Sequence, residues 1–418
     1  MDYQGTQRNR CRGLSGSLLL NLLITAATII YLVWRALKSS KVTFYHSKSS
    51  IALQGDHEPQ RTFADLCKSI ISPCHLSSFL FNGHLQTAGN LYSRRSALIS
   101  YRRHIFEQQD ARYPGTFAVD FVVEDPEPQH RDFTPKEFQS LPSVDCNPLL
   151  IIIHGLAGGS SEPYILDLIV SLIRQPSGNS LRNWKACVLI SRGCSGHKLT
   201  SDLFYSPAST HDLGQFMSWL SRTFPNRPLY AIGFSLGANI LTRYLGEQGT
   251  SCPLRAAISI SNPFDLHTGN ILLQRSWIGR LYLRVLGSSL KTLFLKHVSQ
   301  LSLDKAIDID QVHKARYLHE FDKAVQLQMW GYSTVGSYYR GTSSVDSLRD
   351  IRIPYFAICS EDDPIAVIDA VPRKEFEASE YAVLCITERG GHIGWFELGG
   401  QRWVVRVITA FLQEMQFT

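Results

Sequence analysis

The chain has 418 residues, 44% of them hydrophobic, with a formal net charge of +6. That is enough apolar material for one large core plus an insertion, and the basic residues are scattered without interleaved aromatics, which argues against a nucleic-acid surface. The nine cysteines are odd in number and include no CxxC pair, which argues against both a disulfide framework and a zinc site. No metal or bound cofactor is expected.

Residues 1–13 form a short tail carrying Arg8, Arg10 and Arg12. Residues 14–34 contain no charged side chain. At a rise of about 1.5 Å per residue, a helix over this stretch spans a hydrocarbon core of about 30 Å. Tyr31 and Trp34 suit the interface, and Arg35 and Lys38 end the segment. The competing reading, a cleaved signal peptide, needs a shorter apolar region and a small-residue cleavage site. The expectation is a single-pass anchor in the endoplasmic reticulum or lipid droplet, with its orientation left open because basic residues flank both ends. Residues 35–75 are polar and irregular and read as a linker, leaving 76–418 as the folded domain.

The stretch 126–148 is proline-rich and acidic, and reads as a surface loop ahead of the first core strand. Apolar runs at 149–153, 187–191, 228–232, 256–260, 354–359 and 381–386 alternate with helical stretches. That alternation predicts an α/β fold with a mostly parallel sheet. The gap from about 263 to 350 is too long for a simple crossover, and its apolar spacing predicts a helical cap insertion. Most of those apolar residues pack onto the main domain, and a subset lines an acyl channel if the substrate is a fatty chain.

Gly233-Phe234-Ser235-Leu236-Gly237 follows the apolar run Pro228-Leu229-Tyr230-Ala231-Ile232 and opens an expected helix at 238–247. Strand, sharp G-x-S-x-G turn and helix together describe a nucleophile elbow. A serine hydroxyl needs a histidine to take its proton and a carboxylate to orient that histidine. On such a fold the carboxylate and then the histidine follow the serine in the chain. Ser360-Glu361-Asp362-Asp363-Pro364 comes after the 354–359 strand, and Gly390-Gly391-His392 comes after the 381–386 strand. Spacing alone leaves Asp362 and Asp363 both open as the acid, or makes the acidic loop a plain polar turn. Pro364 favours Asp363 by biasing it to an extended conformation. His154 follows a strand but precedes the serine, so it is read as structural. Its loop, His154-Gly155-Leu156-Ala157-Gly158-Gly159, is of the type that donates one oxyanion N–H, here from Leu156, with Leu236 supplying the other. Cys194 has no dedicated base and is read as structural.

From residue 73 or so to the C-terminus the chain resembles the α/β-hydrolase family of membrane-anchored abhydrolase-domain proteins (the AB hydrolase 4 family), its fungal medium-chain fatty acid ethyl ester synthase/esterase branch above all. The resemblance rests on Phe81-Asn82-Gly83-His84-Leu85-Gln86-Thr87, Phe117-Ala118-Val119-Asp120-Phe121, the His154 loop, Ser191-Arg192-Gly193-Cys194, the elbow, Leu273-Gln274-Arg275-Ser276-Trp277, Asp362-Asp363-Pro364-Ile365 and Gly391-His392-Ile393-Gly394-Trp395. It implies Ser235, Asp363 and His392 as the catalytic set, which decides between the two aspartates. It also implies acyl transfer on lipid-like esters or acyl-CoA as co-substrate, with water or an alcohol as acceptor. Monoacylglycerol lipase and phospholipase activities are the alternatives within the family. A membrane-tethered lipid-binding protein with a vestigial site is the non-enzymatic one.

Overall fold

The computed structural model describes residues 20–21, 23–28, 30, 39–53, 61–92, 99–123, 130–173, 183–301 and 307–417. Among the described residues ten strands form one sheet: β1 (Val42–Tyr45), β2 (Ser100–Glu107), β3 (Thr116–Val123), β4 (His130–Asp132), β5 (Leu149–Ile153), β6 (Lys185–Ile190), β7 (Leu229–Phe234), β8 (Leu254–Ile260), β9 (Tyr355–Ser360) and β10 (Ala382–Thr387). Their spatial order is β1-β10-β9-β8-β7-β5-β6-β3-β2-β4. The run from β10 to β6 is parallel throughout, while β1 and β3 join it antiparallel. All six strands expected from the apolar runs are present within a few residues of their predicted bounds.

The alternation of β5 shows how the sequence fills both faces. Leu150 and Ile152 pack with the helices Pro163–Ile173 and Trp403–Met415, through Ile165, Ile169, Ile408 and Phe411. Leu149, Ile151 and Ile153 pack on the other face with Leu213, Phe216 and Leu220 of Thr210–Thr223 and with Leu241 and Tyr244 of Leu236–Gln248. Every residue of β5 is therefore buried, as a parallel strand covered on both faces requires. Each such Leu, Ile or Phe contributes about 1.5–3 kcal/mol relative to exposure. β5 crosses to β6 on one side and lies against β7 on the other. That reversal opens a crevice at the carboxyl ends of β5 and β7, where ligands bind in open α/β sheets.

Between β8 and β9 the chain runs through a succession of helices. The longest are Leu266–Arg275, capped by Asp265, and Trp277–Leu295, capped by Ser276. Shorter ones follow, including a π-helical turn at Asp322–Gln326 and the helix Val335–Thr342.

Three expectations need correction. Residues 35–75 are more than a linker. β1 pairs with β10 at the sheet edge, and the helix Phe63–Ser69, capped by Thr62, buries Phe63, Leu66 and Cys67. The stretch 126–148 is not wholly loop, because Thr134 and Glu137 form a capping box with Pro135 in the first turn, making the helix Pro135–Gln139 beside β4. The single-pass anchor is overturned. No helix among the described residues is long and apolar enough to cross a membrane, and much of 14–34 lies outside the described residues. The localisation drawn from that anchor, to the endoplasmic reticulum or lipid droplet, falls with it.

Candidate active site

Ser235 sits between β7 and the helix Leu236–Gln248 with φ 52° and ψ −118°. This positive-φ conformation is costly for a residue with a Cβ and persists only where neighbours impose it. Here the two glycines allow the crossing. A Cβ on Gly233 would lie 2.5 Å from the Gly237 carbonyl oxygen, and one on Gly237 would overlap the carbonyl oxygen of Ile153 in β5. The turn is thus as tight as backbone contact permits, and it lifts the Ser235 side chain into the crevice.

His392 meets that hydroxyl. Its Nε2 lies 2.8 Å from Ser235 Oγ, and its Nδ1 lies 2.9 Å and 3.1 Å from the two oxygens of Asp363. A carboxylate only accepts, so Nδ1 carries the proton and Nε2 is left to accept from the serine. The Asp363 carboxylate also accepts from the amides of Ile365 at 2.8 Å and Ala366 at 2.9 Å, which fixes its plane. All three side chains are buried. The sequence leaves Asp362 and Asp363 side by side, and the fold turns them to different tasks. Asp362 accepts from the amides of Gly390 and Gly391 at 2.8 Å and 2.9 Å, clamping the turn that carries His392, and burial raises its pKa.

The same turn is held from its other side by residues that sequence reasoning assigned no task. Thr87 Oγ1 accepts from the His392 amide at 2.8 Å, and Asn90 Nδ2 donates to the His392 carbonyl at 3.1 Å. Both belong to the helix Gly83–Tyr92. Thr87 ends one of the motifs carrying the family resemblance, but nothing in its local pattern points to a histidine about 300 residues later. Replacing Asp362 with alanine strands two buried N–H groups at a cost of about 1–3 kcal/mol each. The expected result is a lower melting temperature and a fall in kcat of about 10- to 100-fold with KM little changed, read from thermal melts and steady-state kinetics.

The loop after β5 faces Ser235 from the other side. Its Gly155 amide donates to Tyr164 Oη at 3.1 Å and its Ala157 amide to Tyr205 Oη at 2.9 Å. The amide between them belongs to Leu156, which lines the same cleft as Ser235 and Leu236. His154 accepts from the Ser191 amide at Nε2 (3.1 Å) and donates from Nδ1 to the Gly155 carbonyl (2.7 Å). Burial lowers its pKa to about 4, so it is neutral at physiological pH. Asp120, from another resemblance motif, is buried and accepts from Ser160 Oγ at 2.6 Å and from Arg103 Nε at 2.6 Å. Arg103 in turn donates to the Ser195 carbonyl at 2.8 Å, tying the two loops together. Cys194 is buried and its thiol is pushed up to about 12, which leaves no thiolate to react.

The cleft above Ser235 is lined by Leu266, Leu273, Leu283 and Leu286 from the helical insertion and by Ile365 and Val367 from the Asp363 loop. A neighbouring chamber shares Leu156, Leu236, Leu266, Leu318 and Tyr339 with it. The second chamber also reaches Asp322 and Gln326 of the π-helical turn. Asp322 accepts from Tyr339 Oη at 2.5 Å, yet burial still raises its pKa to about 7. An unfolded aspartate titrates near 4. The folded state therefore holds the extra proton between about pH 4 and 7, and stability present below pH 4 is lost as pH rises through 7. Asp322→Asn removes this dependence. Its melting temperature is expected to exceed that of the parent protein at pH 8, with the gap closing toward pH 4 in a pH series of thermal melts.

Comparison with known proteins fits this geometry. A family model for the alpha/beta hydrolase fold matches residues 148–396. The chain is 32% identical to the monoacylglycerol lipase of Saccharomyces cerevisiae over 369 residues, covering 81% of this chain and 80% of that protein. It is 30% identical to medium-chain fatty acid ethyl ester synthase/esterase 2 of the same yeast, over 68% of this chain and 66% of that one. With human phospholipase ABHD3 it shares 27% identity over 89% and 87% of the two chains. Fold, match and relatives agree: the chain is an enzyme of the α/β-hydrolase family.

Proposed function

We propose that the protein cleaves acyl esters of lipids through an acyl-serine intermediate, with Ser235 as nucleophile, His392 as proton carrier and Asp363 as its orienting carboxylate. The observation that supports this most is the continuous hydrogen-bond chain from Ser235 Oγ through His392 to Asp363 at the base of an apolar cleft. Ser235 Oγ adds to the ester carbonyl carbon while His392 Nε2 takes its proton. The Leu156 and Leu236 amides receive the oxyanion, and losing one such donor costs about 3–4 kcal/mol of transition-state stabilisation. The helix beginning at Leu236 adds its positive N-terminal end. Collapse breaks the ester C–O bond, and His392 returns the proton to the departing alkoxide. Water, deprotonated by His392, then adds to the acyl carbon and releases the acid and Ser235.

An alcohol in place of water gives a new ester, and acyl-CoA in place of the ester gives the same acyl-enzyme. The apolar lining of the cleft favours this branch, since it disfavours bulk water beside Ser235. The names of the relatives, a monoacylglycerol lipase, an ethyl ester synthase/esterase and a phospholipase, support lipid-derived acyl groups as the substrate class. No cofactor enters either branch. The test is to supply the purified protein with a medium-chain monoacylglycerol, the matching ethyl ester, a phospholipid and acyl-CoA, with and without ethanol, and to count free acid and new ester by mass spectrometry. Acid from the neutral esters, with ethyl ester appearing when ethanol is added, is the expected result. No acyl product from any donor would refute the proposal.

A further inference from the structure

The helix Trp277–Leu295 turns Leu283 inward to the cleft, with Leu286 beside it in the lining. Its outer face carries Trp277, Leu281 and Val285, which are 72%, 54% and 55% exposed and spaced four residues apart, so they form one stripe. Ile271 of the preceding helix is exposed as well. Large apolar side chains in a row on a surface mark a contact site more often than chance exposure does. Interspersed with the stripe are Arg275, Arg280 and Arg284, all exposed, and none forms an ion pair with any described residue. From 266 to 303 the chain contains no Asp or Glu at all. A tryptophan-led apolar stripe bordered by uncompensated arginines is the pattern of a helix that lies in a lipid interface.

We propose that this outer face docks on an anionic lipid surface, Trp277, Leu281 and Val285 entering the headgroup boundary and Arg280 and Arg284 meeting the lipid phosphates and carboxylates. The contact is made by the surface of a folded helix and involves no membrane span. It deepens the functional proposal and rests on it in one respect: the helix that meets the lipid also lines the cleft, so an acyl ester leaving the interface has a short path to Ser235.

Hydrogen–deuterium exchange on the full chain tests this peptide by peptide, without reference to any other part that meets lipid. Vesicles of phosphatidylcholine with 30% phosphatidylserine, about that share being enough to give a negative surface potential, are expected to protect 277–286. Pure phosphatidylcholine is expected to protect it far less, and added salt to remove the protection. Each arginine near such a surface is worth about a fivefold change in affinity, so Arg280→Gln with Arg284→Gln should raise the lipid concentration for half-protection about 30-fold. Neither residue lines the cleft, so turnover of a water-soluble p-nitrophenyl butyrate stays at the parent level. Vesicle binding that leaves 277–286 unprotected, or protection unmoved by the double variant, overturns the proposal. Protection by an acidic polypeptide such as polyglutamate and none by vesicles also overturns it, and assigns the face to an acidic protein. Failure of the catalytic proposal shows separately, as absent turnover of the soluble ester.

Discussion

Ser235→Ala is expected to lower kcat on a medium-chain p-nitrophenyl ester by about 10⁵- to 10⁶-fold while leaving the melting temperature close to that of the parent protein. The magnitude follows from how such sets act: removing the nucleophile alone costs nearly as much as removing all three members. The structural cost is small because among the described residues Ser235 Oγ hydrogen-bonds one side chain, His392, and alanine keeps the Cβ that the turn already accommodates. KM for the residual reaction should change little, since the cleft that holds the acyl chain is built from other side chains. His392→Ala should fall nearly as far, and Ser235→Ala combined with His392→Ala no further than either alone. Independent, multiplying losses in the double variant would mean that the two side chains do not act as a unit. Steady-state kinetics across the three variants, with circular dichroism to check the fold, supplies the measurement.

Gly237→Val is expected to destabilise the fold by about 3–5 kcal/mol. The cause is backbone and not side-chain crowding. A Cβ at 237 overlaps the carbonyls of Ile153 and His154, at the end of β5, and those atoms cannot move without disturbing the centre of the sheet. Overpacking usually costs about 1–3 kcal/mol when flexible side chains give way; here none is available, and branching at Cβ adds a penalty in the first helical turn. Against a typical domain stability of about 5–15 kcal/mol, much of the folded population is at risk. Gly214→Ala is the control. It lies in the helix Thr210–Thr223, where an added Cβ meets only the Tyr244 ring at 3.7 Å. Relief of glycine's entropy should stabilise it by about 0.5–1 kcal/mol. Urea unfolding of both variants measures the difference, and equal stabilities would contradict the contact geometry at 237.

The central sheet is legible because its parallel strands are mostly apolar with few polar interruptions, as burial on both faces demands. The elbow was legible because its two glycines answer a local backbone demand. The rest of the site is not local. Spacing alone does not separate Asp362 from Asp363; Pro364 and the family resemblance favour Asp363, and the different tasks come from the fold, which brings the Gly390–Gly391 turn beside one and the imidazole beside the other. Thr87, Asn90 and Asp120 hold the reacting loops from elements far away in the chain, and no short pattern announces that. β1 and the helix Phe63–Ser69 are not legible in the sequence because an edge strand of four residues and a helix of seven have too few apolar positions to show a period. The 14–34 segment shows the converse hazard. Apolar length invited a spanning helix, yet no described helix qualifies as one.

The central chemical claim is that the Ser235 hydroxyl is made nucleophilic by His392. Labelling with a fluorophosphonate, followed by peptide mass spectrometry, addresses it most directly because the probe reports the activated oxygen itself and needs no knowledge of the natural substrate. A single adduct on the peptide containing Ser235, lost in both Ser235→Ala and His392→Ala, is the expected result. An unlabelled protein, an adduct on another serine, or labelling of Ser235 that survives removal of the imidazole would contradict the claim.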